Sequence, residues 1–245
     1  MKQSATASQR PKIELYHSVS ARSFRPLWAM EELGLEYVLH MLPFPPRVAQ
    51  REYLEVNPLG TVPALRIGTS LMTESVAMCH YLATVPGAHA RLAVGPDEAE
   101  YADYLNLLLL GEATLTFPQT LVLRYRHFEP PERQQPQVAD DYGRWFLARL
   151  KTLDARVESR QFLCAERFTM ADISVGYALM LAHYVGLLPH ASPAVQSYWS
   201  VLQTRPAFQR TLKAEHDGAL AQGVSSRPSP AERPWEAQQA TKQAQ

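Results

Sequence analysis

The chain has 245 residues, 46% of them hydrophobic, which is enough to bury the core of one large domain or two small ones. Lysine plus arginine balance aspartate plus glutamate at 24 each, so no net field draws the chain to nucleic acid, anionic lipid or polyacidic partners, and the expected ligand is small. The two cysteines, Cys79 and Cys164, are too few for a disulfide framework or a zinc cluster and are not spaced as a redox pair, which suits a reducing cytoplasm and no metal.

The opening MKQSATASQRPK is polar and lacks the apolar stretch of a secretory signal, and no run approaches about 18 apolar residues, so neither export nor a membrane span is expected. Residues 13–17 alternate apolar and polar in the manner of a strand and lead into the turn-rich HSVSARS. A helix follows, with Pro26 in its first turn, Leu27, Met30 and Leu33 on one face, and Gly34 at the position just past its end. Residues 37–41 read as the next strand. Beyond PFPP, residues 48–56 read as a short helical stretch, after which the two prolines and the glycine of NPLGTVPAL exclude a regular helix. Ala64–Ile67 and Ser70–Met72 form a hairpin through Gly68, followed by a helix over 74–83. The order βαβ, then α, then ββα implies a small mixed sheet with helices on its faces.

From 98 to about 213 only helical periodicities occur, separated by proline-containing breaks, so the second domain is expected to be all-α. Its clearest start is FTMADI: Thr169 caps a helix, Asp172 reaches back to the cap amide, and Phe168 and Ile173 form a hydrophobic staple, with Gly186 at the far end. The last stretch is rich in Pro, Ser, Gln and Ala, with Trp235 as a lone large apolar residue. The expected organisation is a disordered tail over 1–11, a sheet domain over 12–86, an all-α domain over 97–215, and a disordered or extended tail over 216–245.

Four strings, LYHSVSARSFRPLWAMEELGLEY, NPLGTVPAL, MTES and FTMADIS, occur in an order and spacing that resemble the glutathione S-transferase superfamily of cytosolic type, over about residues 12–213. The resemblance implies a thioredoxin-like βαβαββα domain followed by an all-helical domain, glutathione as cosubstrate, and a homodimer in which the sheet domain of one subunit packs on the helical domain of the other.

Three places carry the chemistry that this implies. A proline at Pro63 fits the start of a strand whatever its function, since it lacks a backbone donor; by resemblance the Val62–Pro63 bond is cis and presents the Val62 N–H and C=O to the cysteinyl backbone of glutathione. Thr73-Glu74-Ser75 opens a helix, where unpaired N–H groups favour an anion and where Ser, Thr and Glu also serve as ordinary caps. By resemblance Ser75 receives the γ-glutamyl carboxylate and Glu74 holds the ammonium group. The loop 18–23 gathers hydroxyls at the positive end of the first helix. A thiol with a pKa near about 8.5 needs a shift of about two units, or about 2.7 kcal/mol, to become abundantly ionised at neutral pH.

By resemblance to the serine class, the Ser20 hydroxyl donates the hydrogen bond that helps ionise the thiol, with Ser18 and Ser23 as alternates; Ser23 also suits a helix cap. Tyr16 and His17 fall too early, in the strand. Neither cysteine lies in the loop, which excludes the cysteine-nucleophile classes. Arg22, Arg25, Arg47 and the PFPP segment border the glutathione cleft, or the arginines are simply solvated. The helix around 106–126, with Glu112, Phe117 and Tyr125, walls an apolar electrophile site or belongs to the core. The readings carried forward are conjugation of glutathione to a small apolar electrophile, a glutathione-dependent isomerase or peroxidase, and a non-catalytic binding module of the same fold.

Overall fold

The computed structural model describes residues 11–85, 91–228 and 230. The alternating IELYH segment forms β1 (Ile13–His17), with Leu15 and His17 turned into the interior. β1 lies second in a four-stranded sheet of order β2-β1-β3-β4. It pairs in parallel with β2 (Val38–Met41) and antiparallel with β3 (Ala64–Ile67), which pairs antiparallel with β4 (Ser70–Met72). Two parallel neighbours need a crossover, supplied by α1 (Phe24–Leu33). Gly34 closes that helix at φ +61, with its N–H donating to the Met30 carbonyl.

Residues 46–56 depart from the expected single stretch. Pro46 starts α2 (Pro46–Ala49) two residues early, and Gln50, at φ −146 and ψ 83, breaks it before a separate 3-10 turn over Arg51–Glu55. After the β3–β4 hairpin, α3 (Ser75–Thr84) completes the thioredoxin-like domain.

The rest of the described chain is helical: α4 (Tyr101–Leu109), α5 (Phe117–Leu123), α6 (Pro136–Leu150), α7 (Asp154–Ser159), α8 (Met170–Tyr184), α9 (Pro193–Gln203) and α10 (Pro206–Ala221). A π-helical stretch, Leu110–Thr116, joins α4 to α5, and a second, Arg124–Phe128, follows α5. Every residue from Met170 to Ala182 is buried, as befits a helix that is hydrophobic all round and surrounded by others. Asp172 starts α8 as expected, accepting from the Thr169 N–H at 2.8 Å, and also takes the Leu163 N–H and the Tyr198 hydroxyl.

One core runs through both domains, from Leu15 and Leu65 in the sheet through α1 to Ile173 and Phe208. The Trp28 ring bridges them, 4.9 Å from Phe208 and 5.7 Å from Phe168 between centroids. α10 continues to Ala221, so residues 216–221 are helix and not part of an extended tail. Gly218 lets that turn pack closely on β2, a tertiary gain that composition does not register. Residues 1–10 of the expected N-terminal tail, and Trp235, lie outside the described residues. Among the described residues no helix is long and apolar enough to cross a membrane.

Candidate active site

β1 ends inside the protein, so the loop that follows begins buried and must satisfy its own backbone. The Ser18 N–H donates to Ser23 Oγ at 3.3 Å, the Ala21 N–H donates to the Ser18 carbonyl at 3.1 Å, and the Phe24 N–H donates to the Ala21 carbonyl at 2.9 Å. These bonds coil the chain into α1. Ser20, at the apex, takes φ +56. Its N–H donates to Glu215 Oε2 at 3.1 Å, and its carbonyl accepts from the Tyr177 hydroxyl at 3.1 Å, both partners belonging to the helical domain.

The three serines part company here. Ser20 lines a cavity of about 260 Å³ at the domain junction, together with Ala21 and Arg22. Ser18 and Ser23 do not line it, although all three serines are buried, Ser20 at 2% exposed; Ser18 Oγ has no hydrogen-bond partner among the described residues. Ser23 stands at the cap position of α1 but in helical geometry, φ −63 and ψ −13, and makes no side-chain cap bond. Its hydroxyl serves the Ser18 backbone instead, which corrects the capping role expected of it. Tyr16 and His17 belong to β1, as expected.

The sheet domain contributes Arg47 and the segment 60–62 to the same cavity, so Ser20, Arg22, Arg47 and Val62 come together. Gly60, at φ +62, permits this approach: a Cβ there would lie 2.6 Å from Arg47 Cβ. The Val62–Pro63 peptide is cis, as is Phe44–Pro45. Pro63 itself is buried and Val62 half-buried. Glu74 is exposed at the cap of α3, and Ser75, its first residue, is 4% exposed, with its hydroxyl accepting from Arg25 Nη1 at 3.3 Å. The Ser75 hydroxyl, expected to face a ligand carboxylate, is thus engaged from behind by a buried cation.

That cation, expected at the border of the cleft or in solvent, is neither: it does not line the cavity and lies in the domain junction. Arg25 is fully buried on α1 and donates to Glu112 Oε2 at 2.6 Å, to the Thr116 hydroxyl at 2.7 Å, and to the carbonyls of Gly111 and Ser174 at 3.1 and 3.3 Å. Its guanidinium also stacks over the Tyr177 ring, 4.2 Å from the centroid. A charge within FRPLWAM, an otherwise apolar run, was the available signal, because a buried charge needs a partner. Glu112 accepts from Arg22 Nε at 2.6 Å with its other oxygen. Burial alone would raise the Glu112 carboxyl, but the Arg25 and Arg22 charges and their hydrogen bonds hold it below the usual range. Burial likewise would lower Arg22, and Glu112 outweighs it in the opposite direction.

This removes Glu112 from the expected electrophile wall: it is the counter-ion of the domain junction. Phe117 is 52% exposed and borders a separate hollow beside Tyr142 and Trp145. Tyr125 packs against the core and carries Arg124 over its ring at 5.4 Å. The wall of the cavity is instead Thr120, Leu123 and Phe128, with Tyr177 and Leu181 from α8 and Phe44 from the sheet domain. Leu123 and Phe128 are five residues apart, a spacing that a regular helix turns to different sides and that the i→i+5 repeat of the π stretch brings back to one.

The Tyr177 phenol is pushed up to about 12 by burial, with Arg22 and Arg25 opposing, so it is a hydrogen-bond donor at neutral pH. Burial pushes the Cys79 thiol up to about 12 and the Cys164 thiol up to about 11, which leaves both as inert core residues. Among the described residues no cluster of three or more His, Cys, Asp and Glu could hold a metal ion.

The geometry has close relatives. Residues 19–85 match the family profile described as glutathione S-transferase, N-terminal domain. Glutathione S-transferase 4 of Zea mays is 28% identical over 220 residues, covering 86% of this chain and 96% of the relative. The ternary complex of BphK, a bacterial glutathione S-transferase, superposes with a TM-score of 0.71 at 26% identity, covering 82% of this chain and 98% of the other. A sphingomonad glutathione S-transferase complexed with glutathione superposes with a TM-score of 0.70 at 25% identity over the same shares of the two chains. With the sheet order, the helical second domain and the junction cavity all in place, residues 19–85 belong to the glutathione S-transferase N-terminal domain family, and the chain as a whole is similar to glutathione S-transferases.

Proposed function

We propose that this protein is a glutathione transferase that binds glutathione in the junction cavity and adds its sulfur to an electrophilic carbon of a small apolar compound. The observation that carries this reading is the two-sided cavity itself. One wall is the loop of Ser20 with Val62 and Arg47, and the other is the apolar surface of Leu123, Phe128 and Leu181. In this reading the Val62 backbone pairs with the cysteinyl unit, Glu74 and the α3 amides at Ser75 hold the γ-glutamyl end, and Arg47 takes a carboxylate at the rim. Arg22 donates to Glu112 through Nε and lines the cavity, where its terminal nitrogens face the ligand.

Ser20 sits where α1 presents its positive end, and its hydroxyl donates to the sulfur. The thiol proton leaves to solvent, the sulfur pair forms the S–C bond, and the leaving group departs with the electrons of its own bond to carbon. The enzyme supplies proximity and charge stabilisation with no covalent intermediate. The electrophile lies against Leu123, Phe128 and Phe44, in place of the Glu112, Phe117 and Tyr125 wall. A homodimer is supported by exposed apolar residues on both domains, Leu71 and Tyr81 on one and Phe117 and Trp145 on the other. A detoxifying role in the cytoplasm fits two reduced, buried cysteines.

Thermal denaturation with and without millimolar glutathione, followed by turnover of model haloarenes, hydroperoxides and cis-unsaturated acids, tests the reading. Conjugation of the haloarene is expected. Turnover restricted to the acids or hydroperoxides would assign isomerase or peroxidase chemistry, and an unmoved melting temperature would reject glutathione as the ligand.

A further inference from the structure

Glu215 lies on α10, 195 residues along the chain from Ser20, and is 4% exposed. One of its oxygens, Oε2, accepts both from the Ser20 backbone N–H at 3.1 Å and from His17 Nε2 at 3.0 Å, so His17 is assigned as the Nε2–H donor. The Ser20 carbonyl is held on the opposite side by the Tyr177 hydroxyl at 3.1 Å. At φ +56 Ser20 occupies the left-handed region that serine seldom enters, and such a residue persists when its surroundings over-determine it. Both groups that fix its backbone here come from the helical domain.

α10 is itself fastened to the sheet. Glu215, Gly218 and Gln222 follow at spacings of three and four and so share a face. A Cβ at Gly218 would lie 3.2 Å from Met41 Cγ and 3.3 Å from Leu39 Cδ2. The Gln222 amide pairs with the backbone of β2, donating to the Leu39 carbonyl at 2.9 Å and accepting from the Met41 N–H at 2.9 Å.

We propose that Glu215 is the positioning residue of the thiol-activating loop: it pins the Ser20 amide from the last helix and so sets where the Ser20 hydroxyl points. This rests on the reading of the cavity as a glutathione site. The groups facing Glu215 are His17 from β1, the Ser20 N–H from the loop, and the phenols of Tyr177 and Tyr184 on α8, both of which feel its charge. A carboxylate in that place opposes a nearby thiolate, so what it supplies is the position of an acceptor oxygen and not its charge.

The pair Glu215→Gln and Glu215→Asp separates these. Glutamine keeps the oxygen in place without the charge, whereas aspartate keeps the charge and draws the oxygen back by one methylene. Conjugation of a chlorodinitrobenzene is measured as kcat/KM against pH, with KM for glutathione and the melting temperature of each variant. Glu215→Gln is expected within about threefold of wild type with its pH limb unmoved or displaced to lower pH, and Glu215→Asp to lose about tenfold in kcat/KM with the limb displaced to higher pH and KM for glutathione within about threefold. An active wild type whose limb both variants share, or a limb moved to higher pH by glutamine and not by aspartate, overturns the inference alone. A wild type without glutathione-dependent turnover overturns the functional reading together with it.

Discussion

Replacing Glu112 by glutamine removes the only charge that faces Arg25 from across the domain junction among the described hydrogen bonds. The Arg25 guanidinium is fully buried, and its remaining bonds go to neutral groups, the Ser75 and Thr116 hydroxyls and the Gly111 and Ser174 carbonyls. Removing one partner of a buried ion pair costs about 3–5 kcal/mol, because the other charge is left uncompensated. The Arg22 arm, with a third of its side chain exposed, adds about 0–1 kcal/mol. Glutamine retains a carbonyl that can accept one of the two bonds, so the expected loss lies at the lower end, about 3 kcal/mol, a large share of a typical total of about 5–15 kcal/mol.

Urea denaturation at neutral pH reads this loss as a lower midpoint. The Glu112 carboxyl is held low in the folded protein, so its stabilising contribution is present above the unfolded value near about 4.3 and disappears as pH falls through the lower folded value. The gap between wild type and Glu112→Gln is therefore full at neutral pH and closes in acid. A loss under about 1 kcal/mol, or a gap that widens in acid, would refute the assignment of Glu112 as the counter-ion.

Gly60→Ala should cost about 1–2 kcal/mol, since alanine resists φ +62 and its Cβ would press on Arg47, and should raise KM for glutathione about fivefold as Arg47 is displaced; a melting curve and initial rates measure both. Asp172→Ala strips the acceptor from the Leu163 and Thr169 N–H groups and the Tyr198 hydroxyl, with an expected loss of about 3 kcal/mol in urea denaturation. Burial pushes the Asp172 carboxyl up to about 6 against the hydrogen bonds that lower it. Its proton-linked contribution is thus full below the unfolded value near about 3.9 and is lost as pH rises through the folded one, a falling component of the stability curve that the alanine variant should lack.

Local rules made much of the fold legible. Strict alternation marks Ile13–His17, Gly68 marks the hairpin, Gly34 marks the end of α1, and Thr169 with Asp172 marks the start of α8. What the sequence did not disclose depends on contacts distant along the chain. Residues 216–221 are helical because Gly218 and Gln222 meet β2, and KAEHDG has no periodicity that announces a buried Glu215. The electrophile wall was misread for a different reason. The π stretches reset which residues share a face, so Leu123 and Phe128 reach the cavity while Phe117 turns to solvent. The loop serines were legible as a group, and only the folded backbone distinguishes Ser20, which lines the cavity, from Ser18 and Ser23, which do not.

The central claim is that the cavity at Ser20 makes the sulfur of glutathione anionic. Ultraviolet absorbance of the thiolate, followed against pH with the protein saturated in glutathione, measures this directly in wild type and in Ser20→Ala. A midpoint near about pH 6.5 in wild type, returning toward about 8.5 in Ser20→Ala, is the expected result. A bound thiol that titrates as it does free in water, or a midpoint that Ser20→Ala leaves where it was, would contradict the account.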